Sequence, residues 1–142
     1  MADRRLSQVI GDAVRDFRQQ VPECIAAGMV DMSTGMLLAV ESAEAQPADI
    51  MDLMAASTFD LFQGRNVTMI EELWNERRGI TPARHYFQEI LINSDNLVHL
   101  FMRCDANQDM VAAVVCRNQV NVGMLFAQAR MVMKYLNSSL SD

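Results

Sequence analysis

The sequence predicts an α+β protein, a three-layer α/β/α sandwich built around a five-stranded antiparallel sheet. Three observations carry that prediction. Amphipathic, helix-length stretches lie at both chain ends and in the middle; strand-length apolar runs come as a pair before the middle helix and a trio after it; and the links within each group are short and rich in Gly, Asn, Asp or Ser. With 142 residues, 51% of them apolar and 21% charged, the chain suffices for one domain that buries roughly 70% of its unfolded surface. The opening Met-Ala-Asp-Arg-Arg lacks the apolar stretch of a secretory leader, and no apolar run nears the roughly 20 residues of a membrane span. The expectation is therefore a single cytoplasmic domain over residues 1–142.

Residues 3–20 form the first helix, because Leu6, Val9, Ile10, Ala13, Val14 and Phe17 make one stripe at helical spacing opposite Arg4, Arg5, Gln8, Asp12, Arg15, Asp16 and Gln19. Asp3 is placed to cap it, and Val21-Pro22 ends it, since the residue before proline avoids the α region. Cys24–Val30 and Met36–Val40 flank a turn at Asp31–Gly35 and read as a β-hairpin. Neither run alternates cleanly, which predicts cover on both faces of that hairpin. After a loop over Ser42–Pro47, residues 48–63 make the middle helix, with Met51, Met54, Ala55, Thr58, Leu61 and Phe62 on one stripe and Leu53 and Phe59 off it. A further helical piece, Asn66–Arg77, follows Gly64 and ends before Gly79 and Pro82. It sits within a long connection, residues 65–84.

Three strands come next. Tyr86–Asn93 turns at Ser94-Asp95-Asn96, Leu97–Cys104 turns at Asp105–Asp109, and Met110–Cys116 is apolar throughout, as a central strand should be. Tyr86–Asn93 is the candidate edge, and an open edge must be blunted or paired. The closing helix, about Val122–Asn137, groups only Arg130, Lys134, Asn137 and Gly123 in its polar sector. So wide an apolar arc exceeds what one sheet face needs, and calls for cover by the first helix or by another chain.

Charge and chemistry narrow the functional classes. The net charge is −6, and residues 41–76 hold eight acids against one base, Arg65. That acidic middle repels phosphate backbones, so nucleic acid is not an expected ligand, and it reads either as a solvated helix face or as a surface for a basic protein partner. Cys24, Cys104 and Cys116 sit among apolar neighbours without CxxC spacing, as buried thiols do, and form no close ligand pair with His85 or His99. His99 itself reads as a partly buried strand residue. No GxxxxGK[ST], GxGxxG, HExxH or GxSxG occurs. The carboxylate pairs Glu71-Glu72 and Asp49/Asp52 lack a partner base, and Arg77-Arg78 reads as a basic pair at a helix end rather than an arginine finger. No catalytic, cofactor or metal residue is expected.

The element order and three local patterns resemble the Roadblock/LC7 family: the hairpin Ile25-Ala26-Ala27-Gly28-Met29-Val30-Asp31 through Gly35-Met36-Leu37-Leu38-Ala39, the helix Ile50–Phe62, and the helix entry Asn121-Val122-Gly123-Met124-Leu125. The resemblance covers nearly all of the chain after about Val21, and departs from the family in the long Arg65–Arg84 connection with its Trp74. It implies a non-enzymatic, homodimeric adaptor or regulator. Family members pair third strand to third strand into one ten-stranded sheet with the middle helices side by side. Their partners are Ras-like GTPases and nucleotide-binding motors, and bacterial members activate such a GTPase without donating an arginine. On this chain the implied dimer seam is Tyr86, Phe87, Gln88, Glu89, Ile90 and Leu91, and the implied partner face is Met51, Met54, Thr58 and Phe62. The alternative class is a small-ligand or redox sensor domain of similar α+β layering.

Overall fold

In the computed structural model, residues 2–44, 48–82 and 84–141 are described. The elements run α1 (Ala2–Gln20), β1 (Cys24–Asp31), β2 (Met36–Ser42), α2 (Ala48–Gln63), α3 (Arg65–Arg78), β3 (Glu89–Asn93), β4 (Leu97–Cys104), β5 (Asn107–Arg117) and α4 (Val122–Ser141). The strands form one antiparallel sheet in the order β2-β1-β5-β4-β3. The α+β sandwich expected from the sequence is the fold observed. The expectations for the Asp3 side chain and for Pro47 fall outside the described residues.

Alternation along each strand divides the apolar side chains between two cores. On one face α1 and α4 lie against each other and against β1, β4 and β5, burying Phe17, Val14, Met29, Leu100, Val114 and Leu125. Each such side chain contributes about 1.5–3 kcal/mol on leaving water. α1 and the sheet thus bury one stripe of α4, while Val122, Met124, Met131 and Tyr135 of its wide apolar arc stay exposed. On the other face α2 covers a smaller core of Val30, Met32, Ala55, Phe62, Phe101 and Val111. Among the described residues the first core holds 22 buried side chains and the second six, so the α2 face is thinly covered.

Local chemistry sets the boundaries. Gly35, at φ +74, closes the β1–β2 turn in a conformation that other residues adopt at a cost, while the Asp31 carboxylate accepts bonds from the Ser33 N–H and the Ser33 and Thr34 hydroxyls. At the α2–α3 corner a Cβ on Gly64 would lie 2.5 Å from the Asp60 carbonyl oxygen, so only glycine fits the bend. Asn121 caps α4 by accepting from the Met124 N–H at 3.0 Å.

Three expectations are corrected. β3 begins at Glu89, not Tyr86: Gln88 still accepts a backbone bond from Arg103, but residues 84–87 are held through side-chain bonds instead of a ladder. β5 begins at Asn107, since a two-residue turn at Asp105-Ala106 suffices. β2 is only partly covered: α1 and α2 lie against it from the two faces, yet as the outer strand beside β1 it leaves Met36, Leu38 and Val40 exposed. A register irregularity between Met29 and Val30 explains why its pattern does not alternate cleanly.

Candidate functional site

The first surface is the β3 edge. Two bonds fix which way its backbone faces: the Arg103 N–H donates to the Gln88 carbonyl at 2.8 Å, and the Ser94 N–H to the Leu97 carbonyl at 2.9 Å. In an antiparallel ladder the bonded positions alternate, so Ile90 and Ile92 bond inward to β4 while Glu89, Leu91 and Asn93 turn their N–H and C=O groups outward. Ile90 and Ile92 also pack at the margin of the thin core, whereas Leu91 is exposed. Glu89 is engaged by Arg130 of α4 through two bonds, at 2.8 and 3.1 Å, and this guanidinium also lies over the Phe126 ring. Of the expected seam, Glu89, Ile90 and Leu91 are thus strand residues, and Tyr86, Phe87 and Gln88 form the root that precedes it.

That root is joined to α3. The Trp74 indole N–H donates to the Tyr86 hydroxyl, and His85 Nδ1 lies 2.8 Å from a Glu71 carboxylate oxygen. α3 buries none of its residues, and Met69, Ile70, Leu73 and Trp74 are all exposed. A helix with an unburied apolar stripe next to an open strand edge is a surface suited to another protein. Arg77 and Arg78 occupy its last turn, where positive charge complements the helix dipole.

The second surface is the outward side of α2. Ile50, Leu53 and Met54 are exposed there, at 44%, 69% and 42%, and Met51 borders them, half-buried. Asp49, Asp52 and Asp60 lie on the same helix with no basic residue. The expected partner face is corrected here: Thr58 and Phe62 are only 3% and 0% exposed. They sit on the inner side of the helix, with Thr58 Oγ1 bonded to the Met54 carbonyl and Phe62 against Phe101. The single stripe read from the sequence merges two helix sides, and Leu53, which lies off that stripe, is the most exposed of α2's large apolar residues.

Between these surfaces stands Arg103, which the sequence reading leaves unremarked within the strand Leu97–Cys104. It is 4% exposed. Its guanidinium donates to the Phe62, Phe87 and Gln108 carbonyls at 3.3, 2.9 and 2.8 Å and to Gln63 Oε1 at 2.8 Å, and it stacks over the Phe62 ring. Burial presses its pKa down while Glu71 and Asp109 press it up, with a net lowering. One side chain thereby ties the end of α2 to the root of β3 and the start of β5. A single cation in an otherwise apolar strand was the available signal, since a buried charge requires partners.

Beneath α2 lies a mainly apolar cavity of about 300 Å³, with Ala26, Gly28 and Ala113 on the sheet and Ile50, Met51 and Met54 on the helix. Small residues on the sheet leave this space, and Thr58 and His99 are among the few polar groups lining it. No helix among the described residues is long and apolar enough to cross a membrane.

No protein-family model and no curated protein matches the sequence. Solved structures do. The chain is similar to a Roadblock/LC7 domain from Streptomyces avermitilis, with a TM-score of 0.66 at 16% identity over 93% of this chain and 98% of that one. It is similar to the gliding protein MglB from Thermus thermophilus, with a TM-score of 0.62 at 16% identity over 97% and 90%. A third similar structure, MglC from Myxococcus xanthus, has a TM-score of 0.56 at 14% identity over 92% and 98%. At such identities the likeness is one of architecture. In element order, sheet topology and helix placement, this chain has the Roadblock/LC7 fold.

Proposed function

We propose that this protein is a homodimeric adaptor that pairs through the outer edge of β3 and binds a nucleotide-handling protein, a Ras-like GTPase by preference, whose activity it modulates without chemistry of its own. The observation that carries the dimer is the set of outward N–H and C=O groups at Glu89, Leu91 and Asn93. A second copy in antiparallel register satisfies them and extends five strands to ten. The thin core beside that edge, with Ile90 and Ile92 at its margin, gains apolar cover in the same step. The MglB and Roadblock/LC7 likeness supports the reading, and a further similar structure is described as MglB with a tetrameric arrangement. The outward side of α2 with Ile50, Leu53 and Met54, bordered by Met51, is then the partner face, and its aspartates select a basic surface.

Sedimentation at micromolar concentration tests the dimer: about twice the 16.0 kDa chain mass is expected, and a monomer overturns it. Mixing the protein with a GTPase encoded beside it tests the partner, with a change in hydrolysis rate expected and an unchanged rate counting against it. The cavity under α2 favours a second reading, a small-ligand sensor of the same architecture. Native mass spectrometry of protein taken from its own cells separates the two, a retained small molecule favouring the sensor.

A further inference from the structure

We propose that Cys24 and Cys116 are an oxidisable pair that closes reversibly into a disulfide joining β1 to β5 within one chain. The two residues are direct partners in the β1–β5 register. Next to them the Arg117 N–H donates to the Glu23 carbonyl at 3.0 Å. By ladder alternation Cys24 and Cys116 then form a non-hydrogen-bonded pair, where opposed Cα atoms lie about 4.5 Å apart and side chains approach closest. A disulfide accepts Cα separations of about 4.4–6.8 Å. Both side chains enter the same core, so they point to the same side of the sheet. Cys24 Sγ donates to the Ala26 carbonyl at 3.3 Å, and Cys116 is the neighbour that most lowers the Cys24 pKa.

The environment assigns each sulfur a role. The Cys116 hydrogen bond and, less strongly, the charge of Arg18 hold the Cys24 thiol below its ordinary pKa, whereas its bond to Cys24 and burial push Cys116 up. Cys24 is also the more accessible, being 5% exposed against 0% and first in its strand after Glu23, whose φ of 58° turns the chain out of α1. Fraying of that last ladder pair admits a small oxidant. The Cys24 thiolate attacks one sulfur of a low-molecular-weight disulfide and expels the other as a thiolate. Cys116 then loses its proton and attacks the Cys24 sulfur, expelling the second thiolate. The two protein thiols give up two electrons and two protons, and the oxidant becomes two thiols. Cys104, buried in the same core, has its thiol pushed up to about 12 by burial and then by Asp105, and takes no part. The bond would clamp the sheet end from which α1 enters and α4 leaves.

The test uses the full chain, reduced and folded, incubated with oxidised glutathione, then alkylated and digested. Two of the three free thiols should disappear, the Cys24 and Cys116 peptides should be recovered joined with the loss of two hydrogens, and dithiothreitol should restore all three. The Cys104→Ser variant should behave alike, and Cys116→Ser should accumulate a glutathione adduct on Cys24. Three thiols persisting in the folded wild type, a bond to Cys104 or a bond between chains would each overturn the proposal, without reference to any variant. An adduct on Cys116 in Cys24→Ser would reverse the assigned roles.

Discussion

At the scale of single residues, Arg103 is where charge and architecture meet. Its guanidinium satisfies the Phe62 carbonyl in the last turn of α2, a group the helix itself leaves without a donor, together with the Phe87 and Gln108 carbonyls. Arg103→Met keeps the volume and removes every donor, so it should cost about 2–4 kcal/mol in urea unfolding, through orphaned carbonyls as well as lost bonds. Arg103→Lys should recover only part of that, because one ammonium cannot reach three elements at once. Equal stability of wild type and Arg103→Met would refute the clamp. His99 supplies a pH effect of definite sign. Burial holds its pKa below the ordinary 6.5, so the folded state favours neutral imidazole, stacked on Phe101 and 3.2 Å from the Ser94 hydroxyl. As pH falls below about 6.5 the unfolded chain binds the proton first. Stability is therefore full above that value and is lost towards the lower folded pKa. The urea midpoint should fall between about pH 7.5 and pH 5, and His99→Gln should flatten that decline. Neither role was fully legible in the sequence: periodicity placed both residues on a strand, but partners 16 or 40 positions away are set by tertiary packing alone.

Elements were more legible than sites, and β3 shows why. Its existence and edge position arise from apolar content and a turn at Ser94-Asp95-Asn96, both local signals. Its start does not, since Tyr86 and Phe87 are as strand-like as Glu89–Asn93 but are engaged by side chains instead of the ladder, Tyr86 by Trp74 and the Phe87 carbonyl by Arg103. α2 repeats the lesson: spacing found the helix but not which of its sides meets the sheet, so the partner face implied by the resemblance took in the inward Thr58 and Phe62. The cysteine pair left no local trace, because residues 24 and 116 meet only through register. Leu91 supports a sharper prediction. Its N–H points away from β4, so Leu91→Pro removes an outward donor while sparing the β3–β4 bonds. The variant should unfold within about 1 kcal/mol of wild type and sediment as a monomer. A dimer that survives the substitution would remove β3 as the seam.

For the whole molecule, what matters is that charge is divided between the two faces of the sheet. α2 carries Asp49, Asp52 and Asp60 and no base, whereas α4, on the opposite face, carries Arg130 and Lys134 and no acid between Val122 and Ser141. In the proposed dimer the two α2 helices lie on the same face of the joined sheet, so their acids add up to one acidic plate whose like charges oppose association. The two associations should then answer salt with opposite sign. Homodimerisation rests on backbone bonds and apolar cover against that repulsion, so raising salt from about 50 to 500 mM shortens the screening length from roughly 14 to 4 Å and should leave the dimer as tight or tighter. Binding of a basic partner gains from the same acids, and should weaken about tenfold over that range, mainly through a slower association rate. Asp52→Lys should slow that association at low salt and leave dimer mass unchanged, Asp52 being exposed and outside the core. Sedimentation and partner-binding kinetics on one sample, across one salt series, check both signs. Partner affinity that ignores salt would place the contact away from α2, and a dimer that dissociates as salt rises would show that ion pairs, rather than a shared strand edge, hold the two copies together.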